Sequence, residues 1–395
     1  KNLNYYGGIN TESHVNQKTI NTSATIFVVL LGIVSLFADM TYESARSISG
    51  PYLALLGASA TVVGIAAGLG ELLGYALRFV SGRIVDRTGR YWLFTISGYF
   101  LNLFAVPALA LVGDWQLAVF LMLLERIGKA IRNPPRDAML SFATTRIGHG
   151  WGFALHEAMD QIGAIIGPFM IAAVLYLRND FRLSFAILII PAIISIGVLL
   201  VARIHYPHPS KLESKTPQID IKGYTGHFWL YLLATGCIAA GFADYPLIAY
   251  HFSKAGIFTH EWIPILYAIA MGVDGLSALL FGRLYDRIGM PIIIVAVAIA
   301  LPFAPLVFLG DFKMGLIGMI LWGIGMGAQE SVMKAQIANM SSVRLRGTAF
   351  GTFNMSFGVF WFVGSVIMGR LYDYSIMALV IFSVTVQILS IPILF

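Results

Sequence analysis

Gly82-Arg83-Ile84-Val85-Asp86-Arg87-Thr88-Gly89-Arg90 closes one long apolar run, and Gly282-Arg283-Leu284-Tyr285-Asp286-Arg287-Ile288-Gly289 closes another, 200 positions later. Both copies run glycine, base, two apolar positions, acid, base, spacer, glycine. Solenoid repeats recur every 20–50 residues or so, and a far longer period indicates a duplicated half. Other pairs fall at matching places. Phe37-Ala38-Asp39 is echoed by Phe242-Ala243-Asp244, and Glu125-x-x-x-Lys129-Ala130 by Glu330-x-x-x-Lys334-Ala335. Gly152-Phe153 falls opposite Ala349-Phe350.

The composition places both halves in a bilayer. A soluble domain carries roughly 25% charged residues, whereas this chain of 395 residues carries 12%, with 58% hydrophobic residues and a mean hydropathy of +0.79. Forty glycines suit helices packed closely in lipid. The lone cysteine, Cys237, excludes a disulfide framework and a thiolate metal cluster. The net charge of +6 sits in short loops between apolar runs, a topological placement and not a nucleic-acid surface. Residues 1–22 are polar and lack the apolar core of a cleavable signal.

About 20 apolar residues are needed to cross the hydrocarbon layer, and twelve such runs can be drawn. They span about 24–48, 60–82, 91–112, 115–134, 151–177 and 183–203, then 228–252, 261–282, 290–309, 314–340, 347–369 and 375–395. The expected organisation is an N-terminal tail (1–22), a first six-helix bundle (23–204), a polar linker (205–227) and a second bundle (228–395). The fold class is thus all-α, a polytopic membrane protein of twelve transmembrane helices in two pseudo-symmetric six-helix bundles. Their parallel repeat puts the pseudo-twofold axis along the membrane normal. Sixteen basic residues fall on the side of the N-terminus and the linker, against five on the other. The charge bias therefore predicts both termini in the cytoplasm, in a plasma (inner) membrane.

At this point the chain resembles the major facilitator superfamily of secondary transporters over essentially its whole length. The resemblance rests on Gly82, Asp86, Arg87, Gly89 and Arg90 between helices 2 and 3; the second copy ends in Met290 where the first has Arg90. Arg126-Ile127-Gly128-Lys129-Ala130 resembles the family's second motif, with Lys129 in place of glutamine and Ala130 in place of glycine. Gly163-Ala164-Ile165-Ile166-Gly167-Pro168 resembles part of its antiporter motif, with Met170 and Ile171 where a second glycine pair usually stands. The resemblance implies two bundles rocking about a central site lined by helices 1, 4, 7 and 10.

Read from the residues, the paired motif is a cytoplasmic latch. Its glycines (Gly82, Gly89, Gly282, Gly289) permit tight turns and helix contact. Asp86 and Asp286 can pair with Arg87, Arg90, Arg287 or bases on neighbouring helices. The alternative is a basic loop with a purely topological role.

Charges within the spans carry the chemistry, because an ionised side chain at mid-bilayer costs roughly 2.5–3.5 kcal/mol on insertion scales. Asp39, Glu43, Arg46 and Gly50 share one helical face, as do Glu125, Lys129, Arg132 and Arg136. His156, Asp160, Gly163 and Gly167 repeat the spacing, with Glu157 and Gln161 one step round. Asp244, Asp274, Glu330 and Lys334 lie opposite in the second half. Such stripes face a wet cavity or the other bundle. Arg132, Arg136 and Asp137 read as fixed salt bridges between bundles. Asp39, Glu43, Arg46, Glu125 and Arg126 read as a substrate or proton pathway, with Glu71 a further candidate carboxylate. Pro246, after Asp244, allows a bend in helix 7.

The expected function is secondary active transport of a small polar or charged organic solute by alternating access. Protons are the expected coupling ion, and antiport or export is preferred to uptake. No enzyme motif, cofactor or compact metal signature is visible, and the chain is expected to act as a monomer. Two rivals stand beside this reading. One is a divalent metal exporter using Asp39, His156 and Asp244, opposed by the charges of Arg46, Arg126 and Lys129. The other is a non-transporting receptor of the same fold.

Overall fold

The computed structural model describes the backbone of residues 9–147, 149–209, 226–340 and 346–394, and side chains there other than 9–21, 145–147, 149–151, 153–154, 338 and 346–348. Every regular element among them is helical. The first half holds α1 (Ile9–Leu55), α2 (Ala60–Thr88), α3 (Tyr91–Ala108), α4 (Trp115–Ile147) and α5 (His149–Arg178), then the pair α6 (Phe181–Ile187) and α7 (Ile189–His205) as a sixth span. The second half holds α8 (Gly226–Gly241) with α9 (Tyr245–Ala255), α10 (Trp262–Ile288), α11 (Pro291–Ala300) with α12 (Phe303–Leu309), α13 (Phe312–Met340), α14 (Arg346–Tyr374) and α15 (Ile376–Leu394). Most of the expected tail (1–22) and linker (205–227) lies outside the described side chains.

All twelve expected spans are present, but only eleven are apolar enough to pass as membrane helices on composition. The exception is α4, which carries Glu125, Arg126, Lys129, Arg132, Arg136 and Asp137. It is shielded by α1, α2, α3 and α5. The expected end of this span, near residue 134, falls short: the helix continues through Pro134 and Pro135 to Ile147. Pro134 has no N–H for the carbonyl of Ala130, and Ser81 of α2 donates to that carbonyl instead, at 2.8 Å. α1 likewise continues through Pro51 to Leu55.

The seventh span is broken. Phe242, Ala243 and Asp244 leave the helix between α8 and α9, and the second piece begins at Tyr245 with Pro246 in its first turn. A break at membrane depth needs its freed carbonyls satisfied. Ser383 (2.6 Å) and Gln387 (3.0 Å) of α15 donate to Gly241 O, and the Trp322 indole of α13 donates to Ala243 O at 2.9 Å. The matching stretch Phe37-Ala38-Asp39 stays helical. The repeat is thus structurally unequal at the position where it matters most.

The glycine ending each copy of the opening motif caps its helix. Gly89 (φ 65°) and Gly289 (φ 75°) lie in the positive-φ region that favours glycine, and each N–H bonds back four residues, at 2.8 Å. These caps define one end of the molecule, here called the motif end. The loops 56–59 and 256–261 lie at the far end.

The halves meet through α2 against α14, α5 against α10, and α1 against α9. At the far end the contact is backbone to backbone. A Cβ on Gly369 would sit 2.6 Å from Ala60 O and 3.2 Å from Gly64 Cα, and one on Gly50 would collide with Pro246 O. The carboxylate of Asp373, on α14, accepts from the backbone N–H of Ala60 (3.1 Å) and Thr61 (2.8 Å) and from the Thr61 hydroxyl (2.6 Å). A second-half residue therefore caps the N-terminus of a first-half helix. Tyr250 donates to Ala58 O at 3.2 Å, and His260 meets Asn179 at 2.9 Å across the same seam.

Candidate functional site

Below that seam lies a cavity of about 870 Å³, counting its mouth, lined from both halves. α1 supplies Asp39, Tyr42, Glu43 and Arg46; α4 supplies Lys129, Asn133 and Arg136; α5 supplies Glu157, Asp160, Gln161 and Ala164. From the second half come Tyr267, Met271 and Asp274 on α10, and Trp322, Met326, Glu330 and Lys334 on α13. Burial is graded along its axis. Asp39 and Glu43 are buried, whereas Glu157, Glu330 and Lys334, nearer the motif end, are exposed. The cavity is therefore sealed at the far end and widens toward the motif end.

Its roof is a chain of ion pairs. Arg46 lies 2.9 Å from Asp244 of the broken span and 3.2 Å from Glu71 of α2. Arg126 lies 3.3 Å from Glu71 and 3.3 Å from Glu125, and the Asn102 amide donates to Glu125 at 2.7 Å. Asp244 stands at the N-cap position of α9 without capping it. Its carboxylate reaches instead to Arg46 and accepts from the Trp361 indole at 3.2 Å. Arg46, Glu125, Arg126 and Asp244 also line a second space of about 490 Å³ against Tyr42 and Met122. Glu43 links the roof to the main cavity: it pairs with Lys129 at 3.7 Å and accepts a hydrogen bond from the Tyr267 hydroxyl of the other half. Lys129 also lies over the Tyr42 ring, 3.8 Å from its centroid.

Thus nine of the residues expected to form the pathway share one cavity: Asp39, Glu43, Arg46, Lys129, Glu157, Asp160, Asp274, Glu330 and Lys334. Glu71, Glu125, Arg126 and Asp244 adjoin it through the ion-pair chain. His156 stands behind the wall, between Ser35 (3.1 Å) and Asp160 (3.5 Å). The metal-binding combination of Asp39, His156 and Asp244 does not assemble, because Asp244 is held by Arg46 and Trp361. Among the described residues no group of three or more His, Cys, Asp or Glu side chains is placed to hold a metal ion.

Among the described residues, Arg132, Arg136 and Asp137 do not make the salt bridges expected between bundles. Arg136 pairs with its own neighbour Asp137 at 2.8 Å and donates to Ser35 at 3.0 Å, all within the first half. Arg132 is completely buried and makes no ion pair among the described residues. Its guanidinium lies over the Tyr99 ring, 4.3 Å from the centroid. For Arg132 the reason is position: α3 lies against α4 there, with Gly98 at the Arg132 backbone, and the side chain does not line the cavity shared with the second half. Sequence reasoning missed Tyr267, Asn102 and Asn133. Tyr267 lies seven residues, two helical turns, before Asp274 on the same face of α10, a signal that was available. The motif charges Asp86, Arg87, Arg90, Asp286 and Arg287 are exposed, and Asp86 and Asp286 make no ion pair among the described residues.

Comparison with known proteins agrees with this architecture. The family model described as Major Facilitator Superfamily matches residues 22–365. An uncharacterized protein of Mycobacterium tuberculosis is 36% identical over 380 residues, covering 94% of this chain and 93% of the relative. An uncharacterized MFS-type transporter of Methanocaldococcus jannaschii is 28% identical over 360 residues, covering 88% of this chain and 89% of the relative. Among solved structures, that of the nucleoside transporter NupG superposes with a TM-score of 0.75 at 13% identity, covering 93% of this chain and 98% of that one. At that identity the likeness is one of fold.

Proposed function

The chain belongs to the major facilitator superfamily, and from that premise we propose that it is a proton-coupled secondary transporter moving a small polar or charged organic solute by alternating access, with antiport or export preferred to uptake. The observation that carries this reading is the charged cavity between the halves, closed at the far end and widening toward the motif end. A charged wall at mid-bilayer is costly and marks a solute or ion path.

In this scheme the units are residues 23–204 and 228–395, tethered by 205–227, with both termini in the cytoplasm of an inner-membrane protein that works as a monomer. Asp39 and Glu43 are the proton carriers. Asp39 faces the cavity with Oδ1 lacking a hydrogen-bond partner among the described residues, whereas Glu43 is held by Lys129 and Tyr267. Loading either carboxylate changes the charge that Lys129 and Arg46 must balance, and so biases the two states differently. Only such a differential interaction can shift a conformational equilibrium. Arg46–Asp244 closes the far end, since it joins α1 to the broken span. The motif pair of Gly82, Asp86, Arg87, Gly89 and Arg90 with Gly282, Asp286, Arg287 and Gly289 is the latch of the opposite end. Its carboxylates, exposed and without an ion pair among the described residues, fit a released latch.

The test is transport by purified protein in proteoliposomes under an imposed pH gradient, with a panel of amines, carboxylates and zwitterions. Wild type is expected to move at least one solute only when the gradient is present. Asp39→Asn is expected to abolish that flux while leaving the elution profile of the detergent-solubilised protein unchanged. Gradient-driven flux persisting in Asp39→Asn removes the assignment of Asp39.

A further inference from the structure

The ion pairs in the cavity leave its acids and bases unequally engaged. Arg46, Arg126, Lys129 and Arg136 each have a carboxylate within 4.0 Å. Asp39, Glu157, Asp274 and Glu330 have no such base among the described residues, and Asp160 has only His156, at 3.5 Å. Of the cations lining the cavity, Lys334 alone is unpaired among the described residues. The acidic surplus is also aimed inward. Asp39 is 6% and Asp274 3% exposed, both line the cavity, and Oδ1 of each has no hydrogen-bond partner among the described residues, as is true of Gln161 Oε1. A buried acceptor without a donor is costly, more so when it carries charge.

These unengaged carboxylates divide between the halves. Asp39, Glu157 and Asp160 stand on α1 and α5, whereas Asp274 and Glu330 stand on α10 and α13. The wall between them includes Ala164, Met271, Trp322 and Met326, a strip that a short hydrocarbon chain could follow. Resting on the transporter reading above, we propose that the cargo is a polar organic dication with N–H groups at both ends, a diamine, polyamine or guanidino-amine, bridging the carboxylates of the two halves. Each cationic end makes charge-assisted hydrogen bonds to acceptors that otherwise lack donors, and the methylene spacer lies along the methionines and Trp322. An anionic cargo has only Lys334 to receive it. A lipophilic cation without N–H groups leaves Asp39 Oδ1 and Asp274 Oδ1 unsatisfied. Because the two ends engage different halves, a dication draws them together, and a monoamine of the same length does not.

The test is binding to the full chain in neutral detergent, followed by calorimetric titration. The ligands are putrescine, spermidine and agmatine, with butylamine, tetraphenylphosphonium, glutarate and magnesium chloride as comparators. Putrescine is expected to bind at least tenfold more tightly than butylamine. Asp274→Asn and Glu330→Gln are each expected to weaken putrescine at least tenfold, with elution profiles as for wild type. Glu330 is exposed at the cavity mouth, so its variant keeps the test alive if Asp274→Asn fails to fold. Butylamine or tetraphenylphosphonium binding as tightly as putrescine overturns the proposal, as does binding of glutarate or magnesium with the diamines excluded. Gradient-driven flux of some other solute, without diamine binding, removes this cargo and leaves the transporter reading standing. Absence of gradient-driven flux for every solute removes that reading as well.

Discussion

Arg46 is the residue on which the two halves converge. It sits one helical turn beyond Glu43 and two beyond Asp39, and it touches carboxylates from α2 and from the break before α9 at once. Its guanidinium is always charged and offers several fixed donors, which a lysine in its place would not reproduce. Removing one partner of a buried ion pair costs about 3–5 kcal/mol, because the other charge is left uncompensated. Arg46→Gln strands Asp244 and leaves Glu71 with Arg126 alone, so we expect a clear loss of thermal stability. We also expect increased labelling of a cysteine placed at Ala58, buried at the seam, in a Cys237→Ser background, as the far end loosens. Labelling equal to that of the parent would mean that the pair does not hold the seam. Much at this scale was legible in the sequence: the spacing of Asp39, Glu43 and Arg46 put three charges on one face, and all three line the cavity. What the spacing could not reveal is pairing across halves. Arg132 shares a face with Glu125 and Lys129, yet it ends against Tyr99 and not a carboxylate, because partner choice depends on which helix lies alongside.

At the scale of elements, two helices depart from what periodicity implies, for related reasons. α4 is too charged to pass as a membrane span on composition, and it survives because neighbouring helices shield it from lipid. The seventh span breaks at Phe242-Ala243-Asp244, whereas its repeat partner stays helical. Pro246 pointed to a bend there, but the donors that make a break tolerable, Trp322, Ser383 and Gln387, come from elements far away in sequence. No local pattern encodes them. The cap on α2 has the same long-range character, since Asp373 reaches the first N–H groups of a helix more than 300 residues earlier. A helix N-terminus favours a carboxylate through its free N–H groups and its dipole. Asp373→Ala should therefore cost the closed far end about 1–2 kcal/mol, without disturbing the fold of either half. The check is cysteine accessibility at Ala58, which should rise in the variant and not in Asp311→Ala, a loop change away from the seam. No difference between the two would deny the cap any part in closure.

At the scale of the whole molecule, the apolar runs and the repeated opening stretch predicted the architecture, twelve spans in two halves, and the glycines expected to permit tight turns end α2 and α10 at matching places. The location of the cavity also followed from the charge stripes, because charges at membrane depth must face one another. The closed state of one end did not follow, since it depends on backbone contacts at Gly50, Gly64 and Gly369 that only three-dimensional packing reveals. With the far end closed, Asp86 and Asp286 are exposed and make no ion pair among the described residues; the proposed cycle requires them to engage when the cavity opens the other way. Asp86→Ala should then lower the population of the motif-end-closed state and leave the far-end contacts intact. The most direct test of the cycle is a pair of spin-label distances in nanodiscs, in a Cys237→Ser background. One pair, at Thr88 and Ile288, spans the motif end; the other, at Leu55 and Leu309, spans the far end. On acidification or on addition of a transported solute, the account predicts that one distance shortens while the other lengthens, with Asp86→Ala suppressing the short motif-end distance. Two distances that stay fixed, or that change in the same sense, would contradict it.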